Sequence, residues 1–313
     1  MTMPVETITV VCPLCGHEYH DWWRPSANLD LDHFDERYLE ECSSATCPRC
    51  GLRVPLDTLV VEENVFSFKN GVGRMDGGGP VRLFELAYAC NLYGQFTVFD
   101  SELNELRRAT EGRIDLENDD HLHRLFTWLN AWGCRQFSIK FHRAASRSLR
   151  KWGRQHLRQL PEMDSSLLSL TDDELDPIVS AFDSLCGLQA AIRRTGSTDH
   201  SVSFGPTGAA KILHALRPEA LLPWDEPIRK RLRLSGDGAS YRRFVVRTQA
   251  LLRHLVEEAG TYGIGPRALP ATIGRPESSL PKLIDEFLWV TITRKVVIPT
   301  PTELGTLARW AAS

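Results

Sequence analysis

No stretch of this chain stays apolar for anything near the ~20 residues a bilayer span requires, so no membrane-spanning helix is expected. The opening Met-Thr-Met-Pro-Val-Glu lacks the basic start and apolar run of a secretory leader, and the expected location is the cytoplasm. Neither a dinucleotide fingerprint nor a P-loop is present. The segment 70–80 holds five glycines in eleven residues but has no Gly-Lys-Ser/Thr ending, so it reads as a flexible linker. Nothing implies a redox cofactor. No Asp/Glu/His cluster has the pattern of a magnesium or catalytic zinc centre, which argues against a nuclease. With 42% hydrophobic and 25% charged residues among 313, the chain is a soluble globular protein rather than a disordered one.

The net charge is only −3, but acid is missing where base is abundant. Residues 121–161 contain nine Lys/Arg and four His with no Asp or Glu, whereas residues 1–63 hold twelve Asp/Glu against four Lys/Arg. A polyanion responds to the local field and not to the sum.

Four of the eight cysteines form two knuckles, Cys12-Pro-Leu-Cys15-Gly16 and Cys47-Pro-Arg-Cys50-Gly51. Two residues between paired thiols let both sulfurs meet one ion, and four thiolates suit tetrahedral Zn²⁺ with a purely structural role. The doubled pattern looks like a zinc ribbon, with β-like runs at Ile8–Val11 and Val54–Val61. The 31 residues between the knuckles exceed the usual spacing and predict extra structure there. Two disulfides would need an oxidising compartment. Cys42, His17 and His20 are alternative ligands, while Cys90, Cys134 and Cys186 read as buried thiols.

Beyond Pro80 the periodicity is helical, and the body reads as all-α. Asp100 and Asp119 are expected helix caps, and Thr171-Asp-Asp-Glu174 is a capping box. Tyr241, Phe244, Val245, Thr248, Leu251, Leu252 and Leu255 form a long stripe that ends near Gly260, and Leu280–Trp289 gives a further helix. Three units follow: ribbon 1–69, linker 70–80 and helical body 81–313. The fold class is mainly α with a small N-terminal β ribbon.

In the segment 140–160, Arg143, Arg147, Arg150, Arg154 and Arg158 recur every three or four positions and share one helical face. Phosphates would relieve their mutual repulsion. Acidic neighbours at 115–120 or 162–176 could do so internally instead, and the sequence leaves both readings open.

The segment 203–232 combines a glycine turn (Gly205-Pro-Thr207-Gly208), a short helix Ala209–Leu216 carrying Lys211, and Asp225 opening the next helix with Arg229 and Lys230 along it. Backbone N–H groups freed by such a turn can hold a phosphate. This order resembles the helix-hairpin-helix DNA glycosylases. The resemblance implies double-stranded DNA as partner, extrusion of a base and cleavage of its N-glycosidic bond. It makes Asp225 the catalytic carboxylate, Gly205, Thr207, Gly208 and Arg229 DNA contacts, and Lys211 a phosphate contact or a lyase nucleophile. The spacing of fourteen from Lys211 to Asp225 is shorter than the family norm, and Gly-Pro-Thr-Gly departs from Gly-apolar-Gly. Asp225 also reads as a plain N-cap, and the two roles are compatible. His214 and Trp224 have core roles as their default. The implied activity is a monofunctional, monomeric glycosylase of base-excision repair, or of anti-phage defence against modified bases. The rival readings are a DNA-binding module without chemistry and a scaffold whose ribbon docks a partner.

Overall fold

The computed structural model describes residues 4–25, 35–56, 59–62, 65–67, 81–96, 99–195 and 198–311. The glycine-rich segment 70–80 lies outside the described residues. The chain is mainly helical with small N-terminal sheets, as expected. Strands β1 (Glu6–Val11) and β2 (Glu18–Trp23) pair antiparallel, with Val10 opposite Tyr19. Helix α1 (Glu36–Cys42), capped by Asp35, and β3 (Ser44–Thr46) fill part of the long interval between the knuckles. Strand β4 (Arg53–Pro55) pairs with β3, and β5 (Val60–Glu62) with β6 (Val65–Ser67). A parallel β1–β6 contact completes a four-stranded sheet of order β2-β1-β6-β5.

The body runs α2 (Leu83–Gln95), α3 (Phe99–Ala109), α4 (Asp119–Ala131), α5 (His142–His156) and α6 (Asp172–Cys186). A hairpin follows, β7 (Gln189–Thr195) with β8 (Thr198–Ser203). Then come α7 (Gly205–Leu216), α8 (Glu226–Arg231), α9 (Gly238–Thr261), α10 (Leu269–Thr272), α11 (Leu280–Leu288) and α12 (Pro301–Ala311). Among the described residues no helix is long and apolar enough to cross a membrane.

The β7–β8 hairpin corrects the expectation of an all-α body. Its strands carry Arg193, Arg194, Asp199 and His200 between short apolar stretches, too mixed a pattern to announce a sheet. Two caps also shift. Phe99, not Asp100, opens α3, and Asp100 serves a half-buried ion pair with Arg275 instead. Asn118 caps α4 by accepting from Asp120 N and His121 N, which leaves Asp119 in the first turn. The capping box at Thr171 forms as the sequence requires.

Helix α9 is the spine. Tyr241 and Phe244 pack with Phe182 and Trp224, the Phe182 and Tyr241 rings stacked at 4.5 Å and Trp224 edge-on to Tyr241 at 5.2 Å. Trp224 is therefore core, and its Nε1 donates to Pro206 O at 3.0 Å. On the same helix Arg247 is only 3% exposed. Its Nε donates to Cys50 O at 2.7 Å and its Nη1 to Leu232 O at 3.0 Å, so one guanidinium ties the second knuckle to α9 and to the end of α8. Arg49 with Asp172 adds an outer tie.

Replacing Arg247 with Met keeps the apolar stem but strips both carbonyls of this donor, a cost of about 2–3 kcal/mol. Urea unfolding should show that loss; an unchanged midpoint would mean the clamp does not hold ribbon to body.

Candidate functional site

The two knuckles are built alike. In each, a glycine in the left-handed region closes the turn (Gly16 φ 68°, Gly51 φ 67°), and the loop is pinned by Gly16 N to Cys12 O at 3.0 Å and by Gly51 N to Cys47 O at 2.8 Å. At Gly51 a Cβ would also sit 2.6 Å from Arg243 Cδ, so the Arg243 side chain would have to shift to admit any other residue. The Sγ atoms of Cys12, Cys15, Cys47 and Cys50 lie within 4.8 Å of one another. Cys12 meets Cys50 at 3.6 Å and Cys15 meets Cys47 at 3.7 Å. A tetrahedron with metal–sulfur bonds of ~2.3 Å has edges of ~3.8 Å, whereas a disulfide spans only ~2.05 Å. The spacing is that of a metal site and not of disulfides. Cys42, His17 and His20 stand outside the set.

Asp225 caps α8 as the sequence suggests, with Pro227 in the first turn. Its Oδ1 accepts from Ile228 N at 2.9 Å and its Oδ2 from Thr293 Oγ1 at 2.9 Å. The side chain is half-buried. Thr293 ends a π-helical turn, Trp289–Thr293, that continues α11. Such turns recur at functional sites because they re-aim a side chain without ending the helix.

Behind Asp225 lies a cluster that sequence reasoning missed. Helix α11 is buried on all sides yet carries Lys282, Asp285 and Glu286, at 1%, 7% and 0% exposure. Lys282 Nζ donates to Asp285 Oδ2 at 2.8 Å and to Tyr93 Oη at 3.2 Å, and lies 4.2 Å from the Tyr93 ring centroid. Tyr93 Oη donates on to Asp100 Oδ1 at 3.3 Å. Arg275 donates twice to Glu286, at 3.0 Å each, and also reaches Asp100. Ser278 Oγ gives Glu286 a further bond at 2.8 Å. Burial alone would pull Lys282 down, but Asp285, Tyr93 and Glu286 outweigh it and raise the ammonium well above its usual value. Asp285 is raised as well, by burial first, with Lys282 opposing and the nearby Asp225 adding to the rise. The signal was in the sequence: three charges at i, i+3 and i+4 in the otherwise apolar Leu280–Leu288.

A cavity of about 330 Å³ opens onto this cluster, lined by Asp100, Asn104, Arg107, Arg275, Ser278 and Lys282. An adjoining one of about 290 Å³ shares Arg107 and reaches His214. His214 is fully buried, with Nδ1 donating to Leu221 O at 2.9 Å; burial lowers its pKa to about 3.

The glycine turn differs from expectation. Helix α7 begins at Gly205, so Gly205, Thr207 and Gly208 form its first turn, and what precedes them is the β7–β8 hairpin, not a helix. Gly205 has φ 69° and open space about it, while a Cβ at Gly208 would press on Phe137 at 3.1 Å. Lys211 turns inward. It is 8% exposed, and its Nζ donates to Trp132 O at 2.6 Å, which draws it away from any outside phosphate. Arg229 lies over Trp224, its Nε buried without a partner, and its Nη1 would be 3.2 Å from a Cβ on Gly236, which also abuts Pro206. That brings Arg229 to the first turn of α7.

The arginine stripe divides. Arg150 reaches Asp119, and Arg154 grips Glu117 at 2.8 and 3.0 Å. Arg143, Arg147 and Arg158 are exposed. Internal neutralisation therefore accounts for two of the five, and the other three stay on the surface.

No protein-family model, no curated protein and no solved structure matches the chain.

The raised Asp285 carboxyl sets a pH dependence. The folded state holds this proton more tightly than the unfolded chain, so its contribution is fully present below the ordinary carboxyl value of ~4 and is lost as pH rises through the higher folded value. Asp285→Asn removes that decline. Urea-unfolding free energies across mildly acidic to neutral pH should show the variant gaining on the wild type as pH rises; parallel curves would place the proton elsewhere.

Proposed function

We propose that the protein binds double-stranded DNA and hydrolyses the N-glycosidic bond of a modified or damaged base, leaving an abasic site. Asp225 is the carboxylate that faces the sugar. The single observation behind this reading is the setting of Asp225: two donors orient it, it is half-buried rather than sealed, and Asp285, its carboxyl raised by burial, stands with Lys282 behind it. An oriented carboxylate offsets the positive charge that builds on the sugar as the base departs, and a neighbouring acid can supply a proton to the leaving group. The first turn of α7, Arg229 and the exposed Arg143, Arg147 and Arg158 are the DNA contacts. Lys211, held by the Trp132 carbonyl, is not the nucleophile, so strands break only after alkali. The biological setting is base-excision repair or defence against phage DNA with modified bases.

A second reading keeps the DNA and drops the chemistry. It is favoured by the engagement of both Asp225 oxygens, which an N-cap and an inter-helix tie already explain. Asp225→Asn separates the two, because Asn caps helices equally well and preserves the fold. An enzyme should lose about 100-fold in alkali-labile sites with duplex affinity kept. A wild-type protein that makes no alkali-labile site in any modified or damaged duplex would leave only the binding module.

The four cysteines hold zinc, in a closed site with no open position, and so in a structural role. Zn²⁺ with four thiolates leaves a double negative charge, against which Arg243 and Arg247 lie close at Gly51. Purified protein should contain one zinc per chain by elemental analysis, and Cys47→Ser should lower both zinc content and melting temperature. Zinc-free protein with full thermal stability would contradict the assignment.

A further inference from the structure

The cavity of about 330 Å³ beside the buried charge cluster is lined by two α3 side chains whose hydrogen-bonding capacity the fold leaves largely unused. Asn104 and Arg107 stand one turn apart on that helix, and both line the cavity. Among the described residues the Asn104 amide meets no hydrogen-bond partner. Arg107 is half-buried, and only its Nη1 is engaged, donating to Glu277 O at 2.7 Å. A guanidinium carries five N–H donors, so most of this one is free. No described carboxylate forms an ion pair with it. Arg275 and Lys282, the other cations of the wall, are by contrast taken up by Asp100, Glu286 and Asp285.

Charge argues for a neutral occupant. Burial lowers the Arg107 pKa, while Asp100, Glu219, Glu277 and Glu286 act against it from nearby. Those four acids surround the guanidinium without pairing with it, and a carboxylate or phosphate would have to enter against them. What fits instead is a flat, uncharged molecule with acceptors for Arg107 and a mixed donor–acceptor edge for Asn104. Leu103 and Pro276 give the cavity apolar wall for its faces. The volume lies at the low end of the ~300–1,000 Å³ typical of ligand sites, which suits a single ring system.

We infer that this cavity seats a 6-oxopurine base, with its O6 and N7 accepting from Arg107 and its O6/N1–H edge paired with Asn104. Arg107 makes the choice among purines. It has donors only, so it meets a ring carbonyl well but faces the exocyclic amino group of adenine donor to donor. Asn104 turns its amide to suit either kind of edge, and so adds affinity without choosing. The inference deepens the proposed function, on which it rests for the base being carried by DNA: the damaged base is a purine bearing a carbonyl, as deaminated adenine does. Lys282 joins the cavity to that site, since it forms part of the wall and donates to Asp285 behind Asp225.

The test titrates the full chain with 9-methylhypoxanthine and 9-methyladenine by saturation-transfer NMR, the methyl group standing where the sugar would be. The hypoxanthine analogue should bind about tenfold or more tighter than the adenine one. Asn104→Leu strips no described group of a partner, so it should keep the melting temperature while weakening the hypoxanthine analogue about tenfold. Arg107→Gln keeps a donor for Glu277 O but adds an acceptor, and should bring the two analogues within about threefold of each other. No binding of the hypoxanthine analogue, equal binding of both by the wild type, or wild-type behaviour in both variants overturns the seat. A duplex with one hypoxanthine, treated with protein and then alkali, tells the two failures apart. Analogue binding without alkali-labile sites upholds the seat while the excision reading fails; alkali-labile sites without analogue binding overturn the seat and leave the excision standing.

Discussion

Helix α11 puts an ammonium and two carboxyl groups where most helices put leucine, and the arrangement of the body follows from satisfying them. Isolated buried charges are prohibitively costly, and even paired ones need nearly every donor and acceptor used. Lys282 accordingly meets Asp285 and Tyr93, while Glu286 takes Arg275 and Ser278. Asp100 is drawn in from α3 to complete the set. Tyr93, Asp100 and the pair Arg275 and Ser278 come from three separate parts of the chain, so the network fixes α2, α3 and the 275–278 segment against α11. The same helix, through its π-turn, delivers Thr293 to Asp225. A network of this kind contributes little net stability compared with a packed apolar core. It instead places a carboxyl whose pKa burial raises, Asp285, near the half-buried Asp225.

The ribbon is held by different physics. Its four cysteine sulfurs converge on one point, and α9 brings Arg243 and Arg247 close to the second knuckle at Gly51. Because Arg247 also reaches the end of α8, metal site, spine helix and the helix capped by Asp225 share one guanidinium. The ribbon is thereby coupled to the candidate site without contributing a residue to it.

What the sequence revealed depended on whether the signal was local. The knuckles could be read because two-residue spacing and a following glycine are requirements of the turn itself. The Thr171 box, the α9 stripe and Asp225 as a cap were legible for the same reason, since each depends on neighbours within a turn. Asp100 was misread because its partner, Arg275, is far away in sequence, and a cap and an ion-pair acid look alike at that range. The β7–β8 hairpin was hidden by its charged, mixed strands. Lys211 looked available for a ligand because nothing near it in sequence shows that the Trp132 carbonyl will hold it. The division of the arginine stripe likewise depended on where Glu117 and Asp119 would fall.

In the proposed function the first turn of α7 and the helix capped by Asp225 face DNA together. Hydrogen–deuterium exchange of the full chain, with and without a duplex bearing modified bases, tests it most directly. Slowed exchange is expected at Gly205, Thr207 and Gly208 and along 226–234 when DNA is present. Unchanged exchange across both segments, with protection confined to other parts of the surface, would contradict it.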